Sequence, residues 1–166
     1  MRAKVELAEG LEISRVITGL WQIADMERKG TTLDPVKTSQ YMAPYVAAGL
    51  TSFDMADHYG SSEIIAGTFK NGLQDKDEVQ LFTKWVPKPG TANPDDTRNA
   101  IQLALQRLQT SQLDLLQYHA WNYADPTWLD QLFQLQGLQE EGLIRHLGLT
   151  NTDSAHLQMV LETGIP

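Results

Sequence analysis

Five short apolar runs, each followed after a brief polar link by a longer segment with helical spacing, constrain this chain more than any other feature of its sequence. The runs are Val16 to Trp21, Thr51 to Met55, Val79 to Lys84, Leu113 to Tyr118 and Ile144 to Leu149. Each is short and apolar, the pattern of a strand in a parallel sheet that is covered on both faces.

Helix signals fall between the runs. Asp34 before Pro35 is an N-cap followed by a proline at the first helical position, where the missing N–H costs nothing; Tyr41, Met42, Tyr45 and Val46 supply the apolar face and Gly49 the stop. From Asp96 to Leu108 the residues Ile101, Ala104, Leu105 and Leu108 form one stripe, with Arg98, Gln102 and Arg107 off it. Asp125-Pro126 opens another helix with Leu129, Leu132, Phe133 and Gln136 on its face and Gly142 to close it. Shorter helices are expected over Ser62 to Lys70 and from Thr152 or Asp153 to Gly164.

Strand, helix and strand joined by short links make right-handed crossovers and a parallel sheet. Five such units satisfy two α/β architectures. One is an open doubly wound sheet of the flavodoxin type; the other is the first five βα units of a (β/α)8 TIM-type barrel, which as a whole needs about 250 residues. At 166 residues, length alone favours the open sheet, and a single domain over residues 1–166 is expected.

Composition narrows the function classes. A formal charge of −8 leaves no basic stripe to neutralise a phosphate backbone, so nucleic acid is not an expected partner. The absence of cysteine excludes disulfides, thiolate catalysis and Cys-ligated metal centres. Residues 1–6 lack the apolar core of a secretory signal, and no apolar run approaches the roughly 18 residues of a membrane span. The chain reads as soluble and cytoplasmic.

In either architecture the working residues gather at the carboxyl ends of the strands. Those ends are polar here: Asp54 to Glu63 after the second run, Lys84-Trp85 after the third, His119 to Asn122 after the fourth and Thr150-Asn151 after the fifth. Singly, each residue has an ordinary explanation. Asp54 could cap a turn, Tyr59 could be a half-buried aromatic, and His119 could be a satisfied core imidazole. Lys84 is less ordinary, because a lysine closing an apolar strand must reach water or find a charge partner. A carboxylate, a phenol, an ammonium and an imidazole on one rim are harder to assign to chance. Asp54, Asp57 and His58 lie too close together on one turn to enclose an ion without ligands from elsewhere, so no metal is expected. Gln22, Ile23 and Ala24 follow the first run where a glycine-rich phosphate loop would stand, and no Gly-x-Ser-x-Gly turn occurs.

Asp54, Ala56, Tyr59, Gly60 and Glu63 match the motif Asp-x-Ala-x-x-Tyr-Gly-x-x-Glu of the aldo-keto reductase superfamily, which the chain resembles in order from end to end. The resemblance extends to Lys84, His119 and Gly148-Leu149-Thr150-Asn151. It implies a (β/α)8 barrel and hydride transfer between NADP(H) and a small carbonyl compound, and so overrules the length argument. By it, Tyr59 is the general acid and Lys84 lowers its pKa. Asp54 holds Lys84, His119 orients the carbonyl oxygen, Thr150 and Asn151 hold the nicotinamide carboxamide together with Asp54 as a cofactor-binding residue, and Trp21 lines the substrate pocket. Met55 departs from the threonine usual there. The chain stops at Gly164-Ile165-Pro166, where the resemblance expects a sixth strand, and the family's phosphate-binding loops come later. A five-strand piece is expected to expose two strand edges and to self-associate. Beside the reductase stands one alternative, a truncated non-catalytic relative serving as a binding or regulatory subunit.

Overall fold

The computed structural model describes residues 4–90 and 92–166; the first three residues of the stretch read above for a leader lie outside them. An antiparallel hairpin comes first, β1 (Lys4–Ala8) and β2 (Leu11–Ser14). Then follow β3 (Thr18–Gly19), α1 (Trp21–Arg28), α2 (Pro35–Ser39), a 3₁₀ turn (Gln40–Met42), α3 (Ala43–Ala47), β4 (Ser52–Asp54) and α4 (Ser62–Asn71). A second 3₁₀ turn (Lys76–Glu78) leads into β5 (Gln80–Trp85), α5 (Pro94–Leu108), β6 (Leu115–His119), α6 (Thr127–Glu140), β7 (Leu147–Thr150) and α7 (Ser154–Thr163).

All five expected strands are present, and the first is the most corrected. Val16 and Ile17 are exposed, and Trp21 opens α1 instead of ending a strand. The physical limit is pairing: β3 stands at the end of the sheet, and its neighbour β4 is only three residues long. The helix expected after Asp34 is split. Asp34 Oδ1 does cap it, accepting from Val36 N–H at 2.9 Å and Lys37 N–H at 3.3 Å, but Pro44 brings no N–H to the ladder and the segment breaks into α2, a 3₁₀ turn and α3. Met42 is buried there, while Tyr41 and Tyr45 face solvent. In α6 the buried face is Trp128, Gln131, Leu132, Leu135 and Leu138, which leaves the expected Phe133 exposed.

The strand order β3-β4-β5-β6-β7 decides between the two architectures, because it runs monotonically and every pair is parallel. A doubly wound sheet reverses direction at a switch point and has helices on both faces. Here the helices share one face. Phe53, Leu81, Leu116 and Tyr118 from the strands cluster with Ile65, Phe69, Ile101, Leu105, Leu132 and Leu135 from the helices. Each fully buried side chain of this kind stabilises by about 1.5–3 kcal/mol. The other face is separate: Leu11 and Ile13 of the hairpin pack on Phe82, with Ala8 and Leu115 at the margin. Helices outside and a small plug inside are the winding of a (β/α)8 barrel over its first five units. Close helix packing explains one mid-helix glycine. A Cβ on Gly67 of α4 would stand 2.6 Å from the backbone of Leu108 in α5, so the two helices can meet only at glycine. Among the described residues no helix is long and apolar enough to cross a membrane.

Candidate active site

Period two along the strands puts Asp54, Lys84 and Gln117 on the inner face of the sheet: Asp54 lies in register with Phe82, and Lys84 with Gln117. The three side chains join. Lys84 Nζ donates to Asp54 Oδ2 at 2.5 Å and to the Met55 carbonyl at 2.9 Å, while Gln117 Nε2 donates to Asp54 Oδ1 at 2.8 Å. Lys84 thus has the charge partner that an inward lysine requires, and both oxygens of that partner are engaged. Above this layer, Lys84 Nζ lies 5.4 Å from the centre of the Tyr59 ring.

Tyr59 is enclosed by aromatic edges. Trp21 of α1 meets it at 4.8 Å between ring centres and 86° between planes, and the neighbouring His58 meets it at 4.8 Å. Its acidity runs against the sequence expectation. Burial, then the carboxylates of Asp54 and Asp57, push the phenol above its ordinary value, so the net effect of the surroundings is not the lowering expected from Lys84 alone. Lys84 Nζ is seated on Asp54 Oδ2, yet the Asp54 carboxylate still pushes the phenol up. Tyr59 is therefore a protonated phenol at neutral pH.

His119 ends β6 beside Thr150, with which it is in register, and Asn151 follows at φ +59°, a left-handed turn that asparagine tolerates better than most residues. Asn151 Nδ2 donates to His119 Nε2 at 2.7 Å; the buried Nδ1 of the ring has no partner among the described residues. Burial first, then the nearby His58 and Lys84, hold this imidazole below its ordinary pKa and so neutral. The turn carrying Tyr59 is braced from beneath. Thr83 Oγ1 donates to Glu63 Oε1 at 2.6 Å, and Arg107 Nη1 donates to Glu63 Oε2 and to the Asp57 carbonyl, each at 3.1 Å. Asp57 Oδ2 accepts from Val86 N–H at 3.1 Å, and its Oδ1 lies 2.9 Å from His58 Nδ1.

Glu63 is almost wholly buried, and burial pushes its carboxyl above the ordinary 4.5 despite the opposing donors Thr83 and Arg107. A raised folded-state value means that the native chain holds this proton longer than the unfolded one. The stability it contributes is full below the unfolded value and is lost as pH rises through the folded one. Glu63→Gln, which cannot titrate, is expected to flatten that part of the decline when melting temperatures are compared from about pH 4 to 7. Equal slopes for the two chains would show that Glu63 does not titrate there.

Every site residue expected from sequence lies at this rim, with Trp21 reaching it from a helix rather than a strand end. Sequence reasoning missed Gln117 and the brace of Arg107. Gln117 carried a signal, since it stands two residues before His119 and so faces the same way; Arg107 carried none. A cavity of about 570 Å³ lies elsewhere: it is bounded by Leu20, Ile23, Met26, Leu33, Tyr41 and Phe53 at the β3 end of the sheet, without Tyr59, Lys84 or His119.

An aldo-keto reductase of Mycobacterium sp. (strain KMS) is 30% identical over 164 residues, covering 97% of this chain and 54% of that protein. Methylglyoxal reductase DkgA of Yersinia pestis is 28% identical, covering 99% of this chain and 55% of its own length. The crystal structure of an aldo-keto reductase from Klebsiella pneumoniae in complex with NADPH superposes with a TM-score of 0.78 at 24% identity, over 98% of this chain and 54% of that one. The chain thus spans about half the length of the relatives it matches. The profile of the aldo/keto reductase family matches residues 15–166, and to that family the chain belongs.

Proposed function

We propose that these five units supply the reaction chemistry of an NADP(H)-dependent carbonyl reductase. One observation carries the reading: Asp54, Lys84, Tyr59 and His119, from three consecutive strand ends, converge on a single rim with the phenol protonated and the imidazole neutral. When bound, the cofactor supplies the hydride. Tyr59 gives its phenolic proton to the carbonyl oxygen as that oxygen gains negative charge, a role worth about 10²–10⁴-fold in rate. Lys84, anchored by Asp54, stabilises the phenolate that remains.

The residues at the end of β7 fit the nicotinamide end of the cofactor. A carboxamide needs one donor and one acceptor, and Thr150 and the Asn151 amide offer both within reach of His119. Engagement of Asn151 would free His119 Nε2, which donates to the carbonyl oxygen and orients it once the single ring proton sits on that nitrogen instead of Nδ1. Asp54 serves this end indirectly, through Lys84. The substrate is a small carbonyl compound, and methylglyoxal, which the Yersinia pestis relative is named for reducing, is the first to try. The proposed setting is the cytoplasm, with residues 1–166 acting as one domain; the lack of cysteine fits that compartment.

The test is a titration of the chain with NADPH, followed by nicotinamide fluorescence. Saturable binding that Asn151→Ala weakens is expected. No saturation up to about 1 mM, which corresponds to a binding free energy weaker than about −4 kcal/mol, would remove cofactor binding from this chain.

The same reading bears on solution behaviour. β3 and β7 stand at the ends of the sheet, and large apolar side chains such as Val16, Ile17, Leu157 and Leu161 are exposed near those ends. Self-association is expected in sedimentation velocity, with the weight-average coefficient rising with concentration. A sharp, concentration-independent monomer boundary would contradict it.

A further inference from the structure

Helix α1 is fastened to the Tyr59 turn at two places. At its start, Trp21 packs edge-on against the Tyr59 ring at 4.8 Å. Near its end, Glu27 takes both donors of Ser61: the backbone N–H reaches Oε2 at 2.8 Å, and the Ser61 hydroxyl bonds to Oε1. Six residues of helix separate the two contacts, about 9 Å along the axis. A single contact would let the helix pivot, whereas two at this spacing fix both its position and its rotation. Ile23 and Ala24, buried between them, complete the seat.

Two further details show that the Glu27 contact is built into the turn. Ser61 is the N-cap residue of α4, yet its side chain makes no capping bond to its own helix. Its hydroxyl is turned to Glu27 instead, and the carboxylate takes that hydroxyl and the Ser61 N–H beside the positive end of α4. Gly60 leaves the room. It sits at φ +55°, and a Cβ there would fall 1.8 Å from Glu27 Oε2 and 3.7 Å from the Ala24 backbone. The glycine between Tyr59 and Ser61 therefore answers two needs, the left-handed turn and the approach of a carboxylate from α1.

We propose that Glu27 is a positioning residue for Tyr59: by latching α1 to Ser61 it holds Trp21 against the phenol ring and so fixes the orientation of that ring above Lys84. The proposal rests on the reading of Tyr59 as the proton donor. Glu27 itself touches neither the ring nor any reacting atom. It acts through the helix, so its loss should change how the ring is held before it changes whether the chain folds.

The experiment is NMR of ring-labelled tyrosine in the cofactor-free chain, with the Tyr59 signal identified by its absence in Tyr59→Phe. The expected result is a Tyr59 resonance displaced from the free-tyrosine position by the ring current of Trp21. In Glu27→Ala that displacement collapses and the Ser61 amide exchanges faster. In Glu27→Gln it persists, because the amide oxygen still accepts from Ser61 N–H while the amide N–H donates to Ser61 Oγ. Ser61→Ala, which removes one of the two bonds and leaves the backbone untouched, gives an intermediate displacement and serves if Glu27→Ala does not fold. A Tyr59 resonance unmoved by Glu27→Ala, or by Ser61→Ala where that variant stands in, would overturn the proposal, as would one that Glu27→Gln moves as far. The measurement needs no NADPH, so a failed cofactor titration would count against the reductase reading and leave the latch standing.

Discussion

Replacing Tyr59 by phenylalanine is expected to lower NADPH-dependent carbonyl reduction by about 10²–10⁴-fold, the range a positioned general acid contributes, while leaving cofactor affinity unchanged. The ring stays, so its edge contacts with Trp21 and His58 survive, and Thr150 and Asn151 are untouched. Only the proton is lost. The pH profile supplies a second check. Burial and the carboxylates of Asp54 and Asp57 raise the phenol above its ordinary 10.0. A proton donor of that kind works while protonated, so the reductive rate should hold from neutral into alkaline solution and fall only as Tyr59 ionises above that value. Had Lys84 dominated, the fall would come earlier. Retained activity in the phenylalanine chain would remove Tyr59 from the role.

Lys84→Met is the other large expected effect, and it falls on stability as well as rate. The lysine side chain is 9% exposed and Asp54 28% exposed, so the pair is mostly, not wholly, withdrawn from water. Removing one member of a fully buried pair costs about 3–5 kcal/mol, because the other charge is left uncompensated. Solvent at Asp54 reduces that, and Gln117 Nε2 still donates to Oδ1, so a loss of about 2 kcal/mol is expected in denaturant titrations. Methionine fills the stem of the lysine and keeps cavity formation out of the comparison. The double variant Lys84→Met with Asp54→Asn should recover much of the loss, since no charge is then orphaned. Carbonyl reduction should remain low in both, because the phenolate of Tyr59 lacks its cation either way. Equal stability of the single variant and the wild type would mean that the pair contributes nothing net to folding.

Much of the fold is legible in the order of residues. Four of the five runs become strands within two or three residues of their expected bounds, and Ile101, Ala104, Leu105 and Leu108 form the buried stripe of α5 as their spacing requires. The misreadings have particular causes. Phe133 is as apolar as its neighbours in α6, and nothing local says which side of that helix the sheet will take. Leu11 and Ile13 alternate with polar residues as strands do, but two four- or five-residue strands are a weak signal beside longer βα units. Pro44 stands in the sequence as a breaker, and the apolar residues on either side of it conceal the break.

The sequence by itself determined five βα units, their parallel pairing and the polar character of one rim, because backbone periodicity and the alternation of strand side chains are local properties. It also determined that an inward Lys84 had to find a partner. Only the tertiary structure decided which partner, and what the assembly does to each proton. Gln117 and Asp54 are 63 residues apart in sequence, Arg107 and Glu63 44, and Ser61 and Glu27 34. The direction of the Tyr59 shift was decided there too, since it depends on how deeply the ring is covered and on how near the carboxylates of Asp54 and Asp57 come to it. Desolvation and Coulomb interactions act through space, and a sequence fixes distances through space only once the chain has folded.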